Sequence, residues 1–85
     1  MAIKLYVGNL ATETTDEGLR NAFVQYGEVV DVAVERDAET GGSRGFGYVE
    51  MASRAKADVA IAELNGHHLQ GRPLAVREHR ARPGR

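Results

Sequence analysis

"RGFGYVEM", Arg44 to Met51, decides how this chain folds. A half-buried strand sends alternate side chains to opposite faces. One face of this stretch then carries Gly45, Gly47, Val49 and Met51, and the other carries Arg44, Phe46, Tyr48 and Glu50. A charged residue stands at each end of the second face, which marks it as the wet one. Two large rings are therefore predicted on the water side of a strand, with two glycines on its core side.

The neighbours of this strand supply the rest of the domain. "EVVDVAVER", Glu28 to Arg36, alternates over Val30, Val32 and Val34 and predicts a strand. "DAETGGS", Asp37 to Ser43, is rich in turn residues and joins the two strands as a hairpin. Further upstream, Ile3, Leu5 and Val7 alternate with Lys4, Tyr6 and Gly8 in a first strand. A helix follows, with Thr14 and Glu17 at capping-box spacing, Leu19, Ala22, Phe23 and Tyr26 on one stripe, and Gly27 placed to end it. Gly18 within that helix costs about 1 kcal/mol against alanine. A second helix is predicted from the N-cap Ser53 to Leu64, with Ala57, Ala60, Ile61 and Leu64 inward and Asn65-Gly66 as its stop. "RPLAVREH", Arg72 to His79, reads as a last strand, with Pro73 at its start and Leu74 and Val76 inward.

The order strand, helix, strand, strand, helix, strand predicts an α+β fold, the ferredoxin-like βαββαβ sandwich. Right-handed crossovers place both helices on one face of a four-stranded antiparallel sheet and leave the other face to water. Gly45 and Gly47 are then expected to face the helices, where a missing side chain allows close packing. Phe46 and Tyr48 are expected on the open face of a central strand. Residues 1–79 form the predicted domain. The remainder, residues 80–85 (RARPGR), has no apolar content to fold with and reads as a loose basic tail.

At 85 residues, 42% hydrophobic and 27% charged, the chain has the composition of one small globular domain. It has no cysteine, which fits a reducing cytosol better than secretion. No apolar run approaches membrane-spanning length, and "MAIKLYVGNL" lacks the form of a signal peptide. A stand-alone cytoplasmic protein without a membrane partner, monomeric rather than oligomeric, is the expectation. Net charge is −1, unlike that of a strongly basic nucleic-acid binder. The distribution is uneven, however. Up to Gly71 there are six Lys and Arg against eleven acids, and from Arg72 onward five Arg against one acid. An acidic body with a basic end allows local attraction to an anion.

"RGFGYVEM" resembles the octamer motif of the RNA recognition motif family, and "LYVGNL", Leu5 to Leu10, resembles that family's hexamer motif. The likeness continues through "YGEVVDV", "TGGSRGFGYV" and "AIAELNGHHLQGRPLAV", over roughly Ile3 to Glu78. It also resembles the single-motif RNA-binding proteins of bacteria. The resemblance implies single-stranded RNA as the partner, with single-stranded DNA bound more weakly, and neither cofactor nor catalysis. It makes the hexamer and octamer strands central neighbours, so that Tyr6, Phe46 and Tyr48 converge. Tyr6 and Tyr48 would stack on bases, Phe46 would pack against sugar or between nucleotides, and Arg44 would bind a phosphate through paired hydrogen bonds. Lys4, Asn9, Arg77, His79, Arg80 and Arg82 would supply base-specific hydrogen bonds from the sheet edges and the chain after the last strand.

Each assignment has a rival. Three exposed rings also suit a protein-binding patch. Arg44 could pair with a surface acid, Asn9 could cap the turn after the first strand, and Arg80 and Arg82 could be plain solvated tail. Two departures from the family pattern stand out. Met51 replaces the final aromatic of the octamer, at an inward position where it alters packing. Asp37 and Glu39 occupy the hairpin loop, where relatives often place basic residues, and Asp31 and Glu35 share the exposed side of the second strand. RNA is thus expected toward the last strand, with modest affinity. Enzyme chemistry finds no footing. No base lies between Lys4 and Arg20 to make an acylphosphatase-like loop, and "GGSRGFG" leads into a strand rather than a helix N-terminus. His67 and His68 are adjacent in a turn, with no spaced ligand to complete a metal site.

Overall fold

A computed structural model describes residues 2–79. The predicted basic tail, with Arg80 and Arg82, lies outside the described residues. The elements run β1 (Ile3–Gly8), α1 (Asp16–Val24), β2 (Val29–Arg36), β3 (Ser43–Met51), α2 (Arg54–Leu64), β4 (His68–Leu69), β5 (Arg72–Pro73) and β6 (Ala75–Glu78). Four of the strands make one antiparallel sheet in the order β2-β3-β1-β6. This is the ferredoxin-like α+β sandwich expected from the sequence.

Alternation fixes which side of the sheet is dry. Ile3, Leu5 and Val7 of β1, Val49 and Met51 of β3, and Val76 of β6 are buried with Leu19 and Phe23 of α1 and Ala57, Ala60 and Leu64 of α2. Met51 is fully enclosed, as its inward parity requires. Both helices therefore lie on one face. The opposite face carries Lys4, Tyr6, Phe46, Tyr48 and Glu50.

Several local readings change. The α1 N-cap is Thr15, whose Oγ1 accepts from the Gly18 N–H at 3.0 Å. Thr14 is instead buried and donates to Gln70 Oε1 at 2.7 Å. Replacing Thr15 by alanine orphans the Gly18 N–H and should cost about 1 kcal/mol. A lower urea midpoint with an unchanged slope would report it. Ser53 does cap α2, accepting from the Lys56 N–H at 3.3 Å.

The strand β2 does not alternate cleanly. Its register shifts between Val29 and Asp31 and again between Val34 and Arg36. The first bulge turns Val30 out to half exposure and puts Val29 into the core in its place. Near the second, the Val34 N–H donates to Asp16 Oδ1 at 2.9 Å, tying the start of α1 to this strand. Asn65, just past α2, does the same for β6, accepting from the Val76 N–H at 3.0 Å.

The last predicted strand is divided. Arg72 and Pro73 pair with His68 and Leu69 in a separate two-stranded ribbon, and only Ala75–Glu78 joins the main sheet. The turn residues Gln70 and Gly71 have φ of 53° and 82°, the paired positive values of a type I′ turn.

The two glycines of β3 have different reasons from the one predicted. A Cβ on Gly47 would lie 2.6 Å from the Ala33 carbonyl oxygen, so the obstacle is the backbone of β2 and not a helix. Gly45 has φ of 93° and open space around its would-be Cβ, apart from the Leu10 carbonyl oxygen at 3.9 Å. Its backbone conformation, where L side chains are strained, is what requires glycine.

Candidate nucleic-acid interface

Cross-strand register assembles the interface. Tyr6 of β1 lies opposite Tyr48 of β3, and Gly8 lies opposite Phe46. The three ring centroids form a near-equilateral triangle with sides of 6.0, 6.1 and 6.1 Å. Tyr6 and Phe46 are near parallel at 26°, and Tyr48 stands edge-on to both. Each ring is half-buried, so its body is held by the sheet while part of it meets water.

One contributor escaped the sequence reading. A Cβ on Gly8 would lie 2.7 Å from the Tyr6 hydroxyl and 2.9 Å from a carbon of its ring. Gly8 shares a face with Tyr6, two residues away, and its missing side chain lets that ring lie down along the strand. The signal was present in the alternation of "LYVGN".

Cations attend every ring. The Arg77 guanidinium, cross-strand from Tyr6, lies 4.6 Å from that ring's centre. Lys4 Nζ is 5.3 Å from the Tyr48 centre and the Arg44 guanidinium 5.5 Å from that of Phe46. These separations are in the range of cation–π attraction. His79 stands edge-on to Tyr48 at 4.9 Å, and its backbone N–H donates to the Lys4 carbonyl at 2.8 Å, extending the pairing of β6. Lys4, Arg44, Arg77 and His79 are thus gathered around the rings, all exposed.

Asn9 is differently employed. Its φ is 62°, its side-chain amide donates to the Pro73 carbonyl at 2.8 Å, and its Oδ1 accepts from Arg72 Nη2 at 2.7 Å. It clasps the β4–β5 ribbon to the end of β1, which is the turn-capping alternative in a stronger form. Arg44 is placed over a ring, and no carboxylate lies within ion-pairing distance of it among the contacts of the described residues.

Asp37, one of the two acids of the hairpin loop, also has structural work. Asp37 accepts from the backbone N–H groups of Glu39 and Thr40 at 2.8 and 3.1 Å. Those two donors hold its carboxyl below the usual carboxylate range. Glu78 is held by Arg54 in a forked pair at 3.3 and 2.9 Å, which in turn raises the guanidinium's pKa. No group of three or more His, Cys, Asp or Glu placed to hold a metal exists among the described residues. No helix among them is long and apolar enough to cross a membrane.

A ferredoxin-like sandwich whose open face presents rings from its two central strands defines a class of nucleic-acid-binding domain. The RNA recognition motif profile matches residues 5–75, and the chain belongs to that family. It is 52% identical over 83 residues to glycine-rich RNA-binding protein 1 of Mycosarcoma maydis, covering 98% of this chain and 47% of that protein. The chain spans about half the length of such curated relatives. Others at 45% identity are the Arabidopsis thaliana proteins glycine-rich RNA-binding protein 2, mitochondrial, and RNA-binding protein CP31B, chloroplastic, together with RbpE of Nostoc sp.. Among solved structures, that of RNA binding protein PG1 superposes with a TM-score of 0.89 at 45% identity, covering 96% of this chain and 99% of that one. A Sex-lethal protein–RNA complex superposes at 0.84 with 39% identity, covering 88% of this chain and 46% of the other.

Proposed function

We propose that the chain binds single-stranded RNA, without catalysis, on the open face of its sheet. The observation that carries this reading is the triangle of Tyr6, Phe46 and Tyr48 on adjacent central strands, each ring attended by a cation. Bases stack on Tyr6 and Tyr48, and Phe46 packs against sugar. Arg44 and Arg77 leave the rings to meet phosphates, while Lys4 and His79 stay beside Tyr48. Arg80 and Arg82 follow directly in sequence and extend the same charge. Single-stranded DNA binds more weakly, because it lacks the 2′-hydroxyl. The domain acts as a cytoplasmic monomer. Family membership and the RNA complex among the structural neighbours favour RNA over a protein ligand for this face.

Titration against an unstructured oligonucleotide and a hairpin stem of equal length tests the mechanism. Only unpaired bases reach the rings, so the single strand should bind tighter. Equal affinities would count against stacking.

Salt dependence gives a second check. Acids on β2 and in the hairpin loop oppose the few cations of the surface. The log–log slope should be shallow, about −1.5 to −3, for roughly two to four neutralised phosphates at about −0.7 each. Deleting residues 80–85 should reduce its magnitude by about one unit, if one or two of its arginines hold phosphate. Identical slopes would make that segment a bystander, and complete loss of binding would put charge ahead of stacking.

A further inference from the structure

Beside Tyr48 the open face is not flat. Lys4, Asp31, Ala33, Glu35, Tyr48 and Glu50 line a shallow depression of about 180 Å³. That is several times the ~30 Å³ share of one liquid water. Register orders its polar groups across the sheet. Glu50 of β3 lies opposite Lys4 of β1 on one side and opposite Asp31 of β2 on the other. Read across the strands, the row presents a hydrogen-bond donor, then an acceptor, then another acceptor. Glu35 adds a third carboxylate to the rim.

Resting on the RNA-binding reading, the geometry points to this row as a reader of guanine. Carboxylates repel phosphate, so the part of a nucleotide that enters is the base, whose ring stacks on Tyr48. Its Watson–Crick edge then meets the row. Guanine offers an acceptor (O6) and two adjacent donors (N1–H and the N2 amino group), which match Lys4, Glu50 and Asp31 in order. No other base matches throughout. Uracil sets O2 against Asp31, and cytosine or adenine sets a ring nitrogen lone pair against Glu50, even in the better of its two orientations. A carboxylate facing a lone pair gains no hydrogen bond and keeps its repulsion, so the mismatch is penalised rather than merely unrewarded.

The experiment measures affinity of the full chain for the heptanucleotides UUUGUUU, UUUAUUU, UUUCUUU, UUUIUUU (I, inosine) and UUUUUUU. Guanine should bind about tenfold tighter than adenine or cytosine, the scale of one good paired contact to a base. Inosine, which lacks the N2 amino group, should fall between. Glu50→Gln and Asp31→Asn should each shrink the guanine-to-adenine ratio severalfold. Equal binding of all five by the parent, or a preference for adenine, overturns the guanine assignment while leaving stacking intact. A guanine preference that neither variant moves overturns this row as its reader. Failure to bind any of the five overturns the RNA-binding reading, and the guanine assignment with it.

Discussion

Replacing Tyr6 or Tyr48 by alanine should weaken single-stranded RNA binding by about 1–3 kcal/mol each, the contribution of one stacked base. Both rings stand on the open face, away from the buried cluster of Leu5, Val7, Phe23 and Val49, so the fold should survive. The two losses should not simply add. The ring centroids are 6.1 Å apart, and Tyr48 stands edge-on to Tyr6, so each variant also removes a neighbour that positions the other ring. Tyr6→Ala further releases Arg77, which is then free to meet a phosphate and recover part of the loss. The double variant shows whether the two residues act as a unit. Affinities by titration, beside urea midpoints for the same proteins, provide the check. Folded variants that bind like the parent would show that bases stack elsewhere.

The second large effect is on stability. A valine at position 47 would carry its Cβ to within 2.6 Å of the Ala33 carbonyl and 3.0 Å of the Val34 Cα. Both are backbone atoms of the adjacent strand and cannot rotate away. The strands must part or slip, at a cost of about 1–3 kcal/mol from overpacking. Gly45→Ala should also destabilise, by about 1–3 kcal/mol, but through backbone strain at positive φ. The two mechanisms separate by side-chain size. Enlarging alanine to valine should matter at Gly47 and much less at Gly45, where space is open. Unchanged urea midpoints in the Gly47→Val protein would mean that β2 and β3 do not approach as described.

The fold was legible because the strong signals were periodic. Alternation in β1 and the apolar stripes of α1 and α2 named the correct inward residues, as alternation in β3 did for Val49 and Met51. What escaped lay where a residue's role depends on a distant partner. Thr14 and Thr15 offer the same hydroxyl one position apart, and burial of Thr14 against Gln70, far along the chain, decides which of them caps. Val30 and Val29 compete for one core position, and the bulge decides between them. The β4–β5 ribbon was hidden because its strands are two residues long, too short for any period to register. Within the candidate interface, the rings and Arg44 were legible from their motif. The commitment of Asn9 to Pro73 and Arg72 was not, since its partners lie more than sixty residues away.

The triangle of rings, each packed against the other two, has a kinetic consequence. Side chains that already lean on one another surrender little rotational freedom when a ligand arrives. Association need not wait for the surface to organise, and a net charge of −1 offers no long-range steering toward a polyanion. On-rates should then lie near the ordinary orientation-limited range of about 10⁵–10⁷ M⁻¹s⁻¹ and vary little between oligonucleotides. Discrimination among sequences should be written in residence time. A preferred strand and a poor one would arrive equally often, and differ in how long they stay.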